Sequence, residues 1–249
     1  MSKPKSTSDL FEHKSKALQK IDDYLTNLIQ SDEPRDNGKA DKLCYWLNDW
    51  MNFLSFEKDF SPKSLRRYKR GEIIKIHLGF NVGSEEGGLH YAVVLDKNNA
   101  KSSPVVTVVP LTSVKPHTDT TNLKNGSIFL GNELFTNLNS KISMVDRKVK
   151  SEIDELEKLV ADASKKASSE HFSTIDTKLG TARKELELLA KMRAEVLKMS
   201  IALVSQITTV SKIRIYDPQT DHDILSGIKL SNEKLDLIDY EIRKSFTNF

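Results

Sequence analysis

Cysteine is almost missing from this chain. Cys44 is the only one in 249 residues, which excludes an intrachain disulfide and any cysteine-built metal cage. Long apolar runs are missing too. No stretch approaches the roughly 20 apolar residues of a membrane span, and MSKPKSTSDLFEHKSK at the start lacks the apolar centre of a signal peptide. An intracellular, cytoplasmic protein without membrane contact is expected. Excess charge of one sign is lacking as well: a net charge of +3 announces no nucleic-acid binder by itself. The six histidines are dispersed, and neither an HExxH pattern nor a GxxxxGK[ST] loop occurs. No metal and no cofactor are expected.

Hydrophobic residues at 38% and charged residues at 29% fit a folded, rather helical chain with long solvated faces. Ser8 is placed to cap a first helix carrying Leu10, Ala17, Ile21, Leu25 and Leu28, after a disordered start at 1–8. SDEPRDNG at 31–38 reads as a break around Pro34. A second helix follows, with Trp46, Trp50, Met51 and Leu54 on one apolar face, where packing is the ordinary use of such a stripe. Cys44 falls in this helix as a small core residue. From Arg70 to about Leu138 the pattern turns to strands, ending in SIFLGNEL at 127–134. Beyond Lys141 a narrow seam (Val145, Val149, Ile153, Leu156, Val160) predicts a long helix. A break at 168–174 and a second seam (Leu179, Leu186, Val196) make it an antiparallel hairpin. Strand character returns at IALVSQITTVSKIRIYDP, and Ser231 caps a closing helix with Leu235, Ile238, Ile242 and Phe246. One strand domain interrupted by a helical insertion explains this order most economically.

The densest signal is GEIIKIHLGFNVGSEEGGLHYAVVLD followed by VVTVVPLTS. Strands flank a loop whose glycines 79, 83, 87 and 88 permit a tight fold-back. His90 stands where one strand begins and Thr112 where the next ends, each placed to offer a polar group at the rim of a small sheet. Lys63, Arg66, Arg67, Lys69 and Arg70 crowd together just before, serving either phosphate contact or solvation of a linker.

These residues resemble the MazF/PemK toxins, whose pattern runs roughly RGDI, GSE, GG, RP, VVL and PLT. SQITTVSKIRI resembles a later strand of that family, and KLSNEKLDLIDYEIRKSF its closing helix. The resemblance implies an α+β fold: an SH3-like β-barrel of MazF/PemK type with a C-terminal helix. A long antiparallel, coiled-coil-like hairpin would interrupt it, and N-terminal helices would precede it. The expected parts are an N-terminal helical extension at 1–62, the first part of the barrel at 63–141, the hairpin at 142–200, and the rest of the barrel with its helix at 201–249. It also implies a homodimeric, metal-independent endoribonuclease neutralised by an antitoxin protein. Such an enzyme cleaves single-stranded RNA through the ribose 2′-hydroxyl, leaving a 2′,3′-cyclic phosphate and a 5′-hydroxyl.

Carried onto this chain, the family threonine is Thr112 and the family arginine is replaced by His90. Glu85 matches the acid of GSE, and His77 stands near an aspartate that ends the first strand in relatives. A guanidinium brings a permanent charge and a bidentate phosphate fork, whereas an imidazole titrates near neutrality and suits proton transfer. His90 and Thr112 are therefore the expected catalytic residues, with His77 completing a two-imidazole pair across the loop. Asn81, Ser84, Glu85 and His77 are expected on one side of the RNA. Gln206, Thr208, Lys212 and Arg214 are expected on the other, Lys212 and Arg214 sharing a strand face. Phe80 and Tyr91 are the aromatics available for base stacking. The loss of the arginine leaves two other readings open: a catalytically silent binding or regulatory module, and a toxin aimed at a protein such as a topoisomerase.

Overall fold

A computed structural model describes residues 6–124, 126–163, 180 and 199–248. The turn expected at 168–174 and the second hairpin arm lie outside these residues, as does most of the disordered start expected at 1–8. The described chain forms two compact units, residues 1–60 with 79–83, and the remainder.

In the first unit, α1 (Thr7–Ile29) is capped by Ser6 rather than Ser8. Ser6 has Asp9 three residues on, and the two exchange side-chain and backbone hydrogen bonds of 3.1 and 3.2 Å. This capping box outcompetes Ser8, which has Phe11 in the reciprocal position. The expected break at 31–38 shrinks, because Pro34 starts α2 (Pro34–Phe56) at the one helical position that needs no N–H. The two tryptophans part ways. Trp46 stacks obliquely on Phe53, whereas Trp50 remains 42% exposed. The backbone at Gly79, with φ +102°, runs so close to Trp46 that a Cβ there would sit 3.3 Å from the ring.

The second unit is built on seven antiparallel strands: β1 (Ile73–His77), β2 (Leu89–Val94), β3 (Val105–Ser113), β4 (Ser127–Gly131), β5 (Ser200–Leu203), β6 (Thr208–Ser211) and β7 (Ile215–Asp217). Their order is β4-β5-β3-β2-β1-β7, with β6 also on β3. β5 and β6 pair with successive stretches of β3, so they act as one strand broken by the 3-10 turn Val204–Gln206. β4 and β5 are hydrogen-bonded neighbours although a long helical segment separates them in sequence. The strands on either side of that segment thus lie in one sheet.

The helix leaving β4 corrects the expected boundary. α3 (Glu133–Ala163) begins immediately after the strand, not beyond Lys141. Leu134, Leu138 and Ile142 recur every fourth residue and pack into the same core as Ile73, Val93, Val109, Leu111 and Ile238. NELFTNLNS is therefore the root of the helix, and its first turns are sheet core. The closing helix, α4 (Asn232–Phe246), is capped by Ser231 as expected. Glu133, opening α3, accepts hydrogen bonds from the Ser231 backbone and hydroxyl, so the two helix starts are tied together. No described helix is long and apolar enough to cross a membrane.

The basic run before β1 divides. Arg66 grips Glu72 with two bonds of 3.1 and 3.2 Å and reaches Asp221 at 2.9 Å. Burial pulls its guanidinium down, but Asp221 and Glu72 hold it above its ordinary value. Arg70 donates to the Leu95 carbonyl and pairs with Asp239. Both arginines are structural pins of the fold, while Lys63, Arg67 and Lys69 face solvent.

Candidate functional site

The β1–β2 ladder places Ile74 opposite Ala92 and Ile76 opposite His90. The β2–β3 ladder places Ala92 opposite Pro110. Opposed residues share a face, and the same register continued past Pro110 sets His90 across from Thr112. Both residues border one cavity of ≈980 Å³ where the pairing of β2 with β3 ends. Lys75, Leu89 and Tyr91 form part of its wall, and Ser113 to Pro116 with Thr118 and Thr120 form another. Lys75 and Lys115 contribute cations, while Ser113, Thr118 and Thr120 add hydroxyls to that of Thr112. Among the described residues none of those lining it is a carboxylate. The Lys75 ammonium lies 5.7 Å from the centre of the Tyr91 ring, a cation–π distance.

The imidazole of His90 is held at both ends. Nδ1 sits 3.0 Å from the Leu111 carbonyl oxygen, an acceptor only, so Nδ1 carries the proton and donates it. Nε2 lies 3.5 Å from Glu86 Oε2. The bond to Leu111 fixes the neutral tautomer with its lone pair on Nε2, and Glu86 is placed to stabilise a proton gained there. The Glu86 backbone N–H donates to Gln206 Oε1 at 3.4 Å, and Gln206 Nε2 donates to the Ser84 carbonyl at 3.3 Å. One amide side chain thus closes on the loop at two points.

The remaining expected residues scatter. His77 pairs with Leu89, one register step from His90, so the two imidazoles point to opposite faces of the sheet. The His77 ring lies 6.4 Å from Tyr216, not beside His90. The expected acid–base pair of histidines is not formed. Asn81 and Phe80 belong with the helical unit, whereas Ser84 and Glu85 stay with the sheet, Glu85 exposed. Thr208 is half-buried in β6 opposite Val108.

Lys212 and Arg214 do not share a strand face, because they lie in the 3-10 turn Lys212–Arg214 that Ser211 caps. Lys212 is 1% exposed, donates to the Ala100 carbonyl at 3.0 Å and sits 5.6 Å from the Tyr68 ring centre. Burial pulls its ammonium below the usual lysine value, with Asp96 opposing. Arg214 donates to the Leu78 carbonyl at 3.3 Å, and burial draws its guanidinium down likewise. Both cations brace loops through backbone carbonyls.

Three residues of the site escaped sequence reasoning: Glu86, Lys75 and Lys115. Glu86 stands four residues before His90 across Gly87–Gly88, a spacing that carries meaning only once the loop folds back. Lys75 alternates with buried isoleucines in β1, which marks it as facing away from them. Among the described residues no group of three histidine, cysteine, aspartate or glutamate side chains is placed to hold a metal ion.

Residues 69–182 match the family model described as PemK-like, MazF-like toxin of type II toxin–antitoxin system. The match starts just before β1 and runs through α3, so the β5–β7 segment and α4 lie beyond it. A comparison with curated proteins finds no match. Residues 69–182, which hold both His90 and Thr112, are thus similar to the PemK-like, MazF-like toxins of type II toxin–antitoxin systems over somewhat less than half of the chain.

Proposed function

We propose that this chain is an endoribonuclease that cleaves single-stranded RNA by attack of a ribose 2′-hydroxyl on the adjacent phosphate. The observation that carries the reading is the juxtaposition of His90 and Thr112 on one cavity walled by two lysines and several hydroxyls. A phosphodiester is anionic, and such a lining suits it.

In this reading Nε2 of His90 accepts the 2′-hydroxyl proton as the 2′-oxygen–phosphorus bond forms. The imidazolium that results is stabilised by Glu86 at 3.5 Å and kept in plane by the Leu111 carbonyl. The Thr112 hydroxyl donates to a non-bridging oxygen, and Lys115 offsets the charge that grows on the phosphorane. The phosphorus–5′-oxygen bond breaks, the departing oxygen takes a proton from water, and a 2′,3′-cyclic phosphate and a 5′-hydroxyl remain. The family match at residues 69–182 supports this chemistry, and the reading extends to the partners: an antitoxin protein and a second copy of the chain. On the same reading the sheet is the SH3-like barrel, and α3 is the first arm of a hairpin inserted into it.

A second reading, a catalytically silent RNA-binding module, draws on one observation: both ring nitrogens of His90 already face a protein oxygen. The two readings separate in one experiment. Purified protein is incubated with mixed-sequence RNA in chelator, and the new ends are mapped. Cleavage to cyclic phosphate, reduced about 10²–10⁴-fold by His90→Ala and strongly by Thr112→Ala, is expected. RNA that is bound but left intact by the wild-type protein selects the silent module.

A further inference from the structure

We propose that Gln206 is a positioning residue that sets the activity of His90 through Glu86, rather than a contact to RNA; the inference rests on the ribonuclease reading above. At the base of the loop between β1 and β2, Leu78 N–H donates to the Gly88 carbonyl at 2.8 Å. Gly87 and Gly88 follow Glu86 directly, and Gly88 takes a φ of +85°. Restraints from outside the loop narrow the range of conformations that such glycines permit.

Gln206 is such an outside restraint. It stands at the end of the 3-10 turn where the β5–β6 strand breaks, and that break frees it from the ladder with β3. Its amide presents a donor and an acceptor to two backbone groups two residues apart, the Ser84 carbonyl and the Glu86 N–H, at 3.3 and 3.4 Å. This is the pairing a neighbouring strand would offer, supplied by a side chain. The residue whose backbone is clamped is the one whose carboxylate lies 3.5 Å from His90 Nε2. The chain of restraint runs from Gln206 to the Glu86 backbone, from the Glu86 carboxylate to Nε2, and from Nδ1 to Leu111. Each polar atom of the amide is thus engaged once on the loop.

The test uses the full-length protein with Gln206→Ala, Gln206→Glu, Glu86→Gln and the double variant Gln206→Ala/Glu86→Gln. Gln206→Glu keeps the acceptor for Glu86 N–H and loses the donor to Ser84, so it reports on the clamp even if the alanine variant folds poorly. Two readouts are taken: kcat and KM for a cleavable RNA, and the nitrogen resonance of His90 Nε2. Gln206→Ala is expected to lower kcat about 10- to 100-fold with KM within about twofold, the size of effect that misplacement near reacting atoms produces. Its Nε2 resonance is expected to move the way Glu86→Gln moves it, and the double variant to be no slower than Glu86→Gln alone. A raised KM at preserved kcat, additive losses in the double variant, or an Nε2 resonance left at its wild-type position in Gln206→Ala would overturn the proposal. Should the wild-type protein leave RNA intact, the ribonuclease reading fails while the Nε2 resonances still decide the clamp.

Discussion

Glu72→Gln replaces the most deeply buried carboxylate of the sheet unit with its nearest neutral equivalent. Glu72 is 3% exposed and accepts from Arg66 twice and from the Lys69 backbone at 2.9 Å. A glutamine keeps one oxygen, so its new NH₂ group faces a guanidinium N–H and one charge-assisted bond, about 1.5–3 kcal/mol, is lost outright. The other bonds fall from charged to neutral strength, about 1 kcal/mol each. Arg66 is itself only 9% exposed, and its other carboxylate, Asp221, is 80% exposed and replaces little of this. The expected loss is therefore about 3–5 kcal/mol, the usual cost of breaking a buried pair from one side.

Both tryptophans sit in the helical unit, so their fluorescence would report the wrong part of the chain. Hydrogen exchange at the slowest amides of β2 and β3 reads the sheet unit directly. Asp221→Asn is the control, with a far smaller loss expected at that exposed end. A Glu72→Gln loss below about 1 kcal/mol, or an equal loss in Asp221→Asn, would refute the assignment of Arg66 and Glu72 as an internal pin.

Three further outcomes follow from particular contacts. Gly126→Ala meets both a φ of +76° and the Cβ of Ser205 at 2.8 Å, so a loss of about 1–3 kcal/mol by the same exchange measurement is expected. Lys212→Met should leave RNA affinity within about twofold across a salt titration, because its ammonium is buried on the Ala100 carbonyl and releases no counterion on binding; a shallower salt slope would restore it to the RNA surface. Asp217 and Asp223 should respond to acid in opposite senses. Burial raises Asp217 above its ordinary value, so its contribution to stability is present below about pH 4 and is lost as pH rises through the raised value. Burial also pushes Asp223 up, but bonds from Thr220 and Gln219 outweigh it and hold it low, so its contribution is present above about pH 4 and disappears in acid. Urea midpoints compared at pH 3.5 and 7 should show Asp217→Asn gaining at pH 7 and Asp223→Asn losing there.

Much of the sheet could be read from residue order alone. The alternation in HYAVVLD and VVTVVPLTS is β2 and β3, and the Ser231 cap marks α4 because its signal is local. The shared cavity of His90 and Thr112 follows from register, which alternation sets. What escaped was set by distant partners or by competing local signals. Leu134 was absorbed into a strand by the preceding SIFL, although Leu134, Leu138 and Ile142 already carry a helical period. TTVSKIRIY reads as one β run, and only the Ser211 side chain, a weak cap, betrays the turn that buries Lys212. Glu86 acquires its place from Gln206, 120 residues away, and no window along the chain contains both.

The root of α3 bears on how the segment between β4 and β5 can be altered. Leu134, Leu138, Ile142 and Val149 are all buried, and they lie on the same uninterrupted helix that runs out to Ala163. The natural joint between sheet and insertion is therefore not a loop but a point partway along a rod. A shortened chain must be cut distal to Val149, since cutting at residue 142 strips the sheet of one wall of its interior. Because the backbone ladder is continuous across that point, a partner that grasps the outer helix pulls on the floor of the sheet without an intervening hinge.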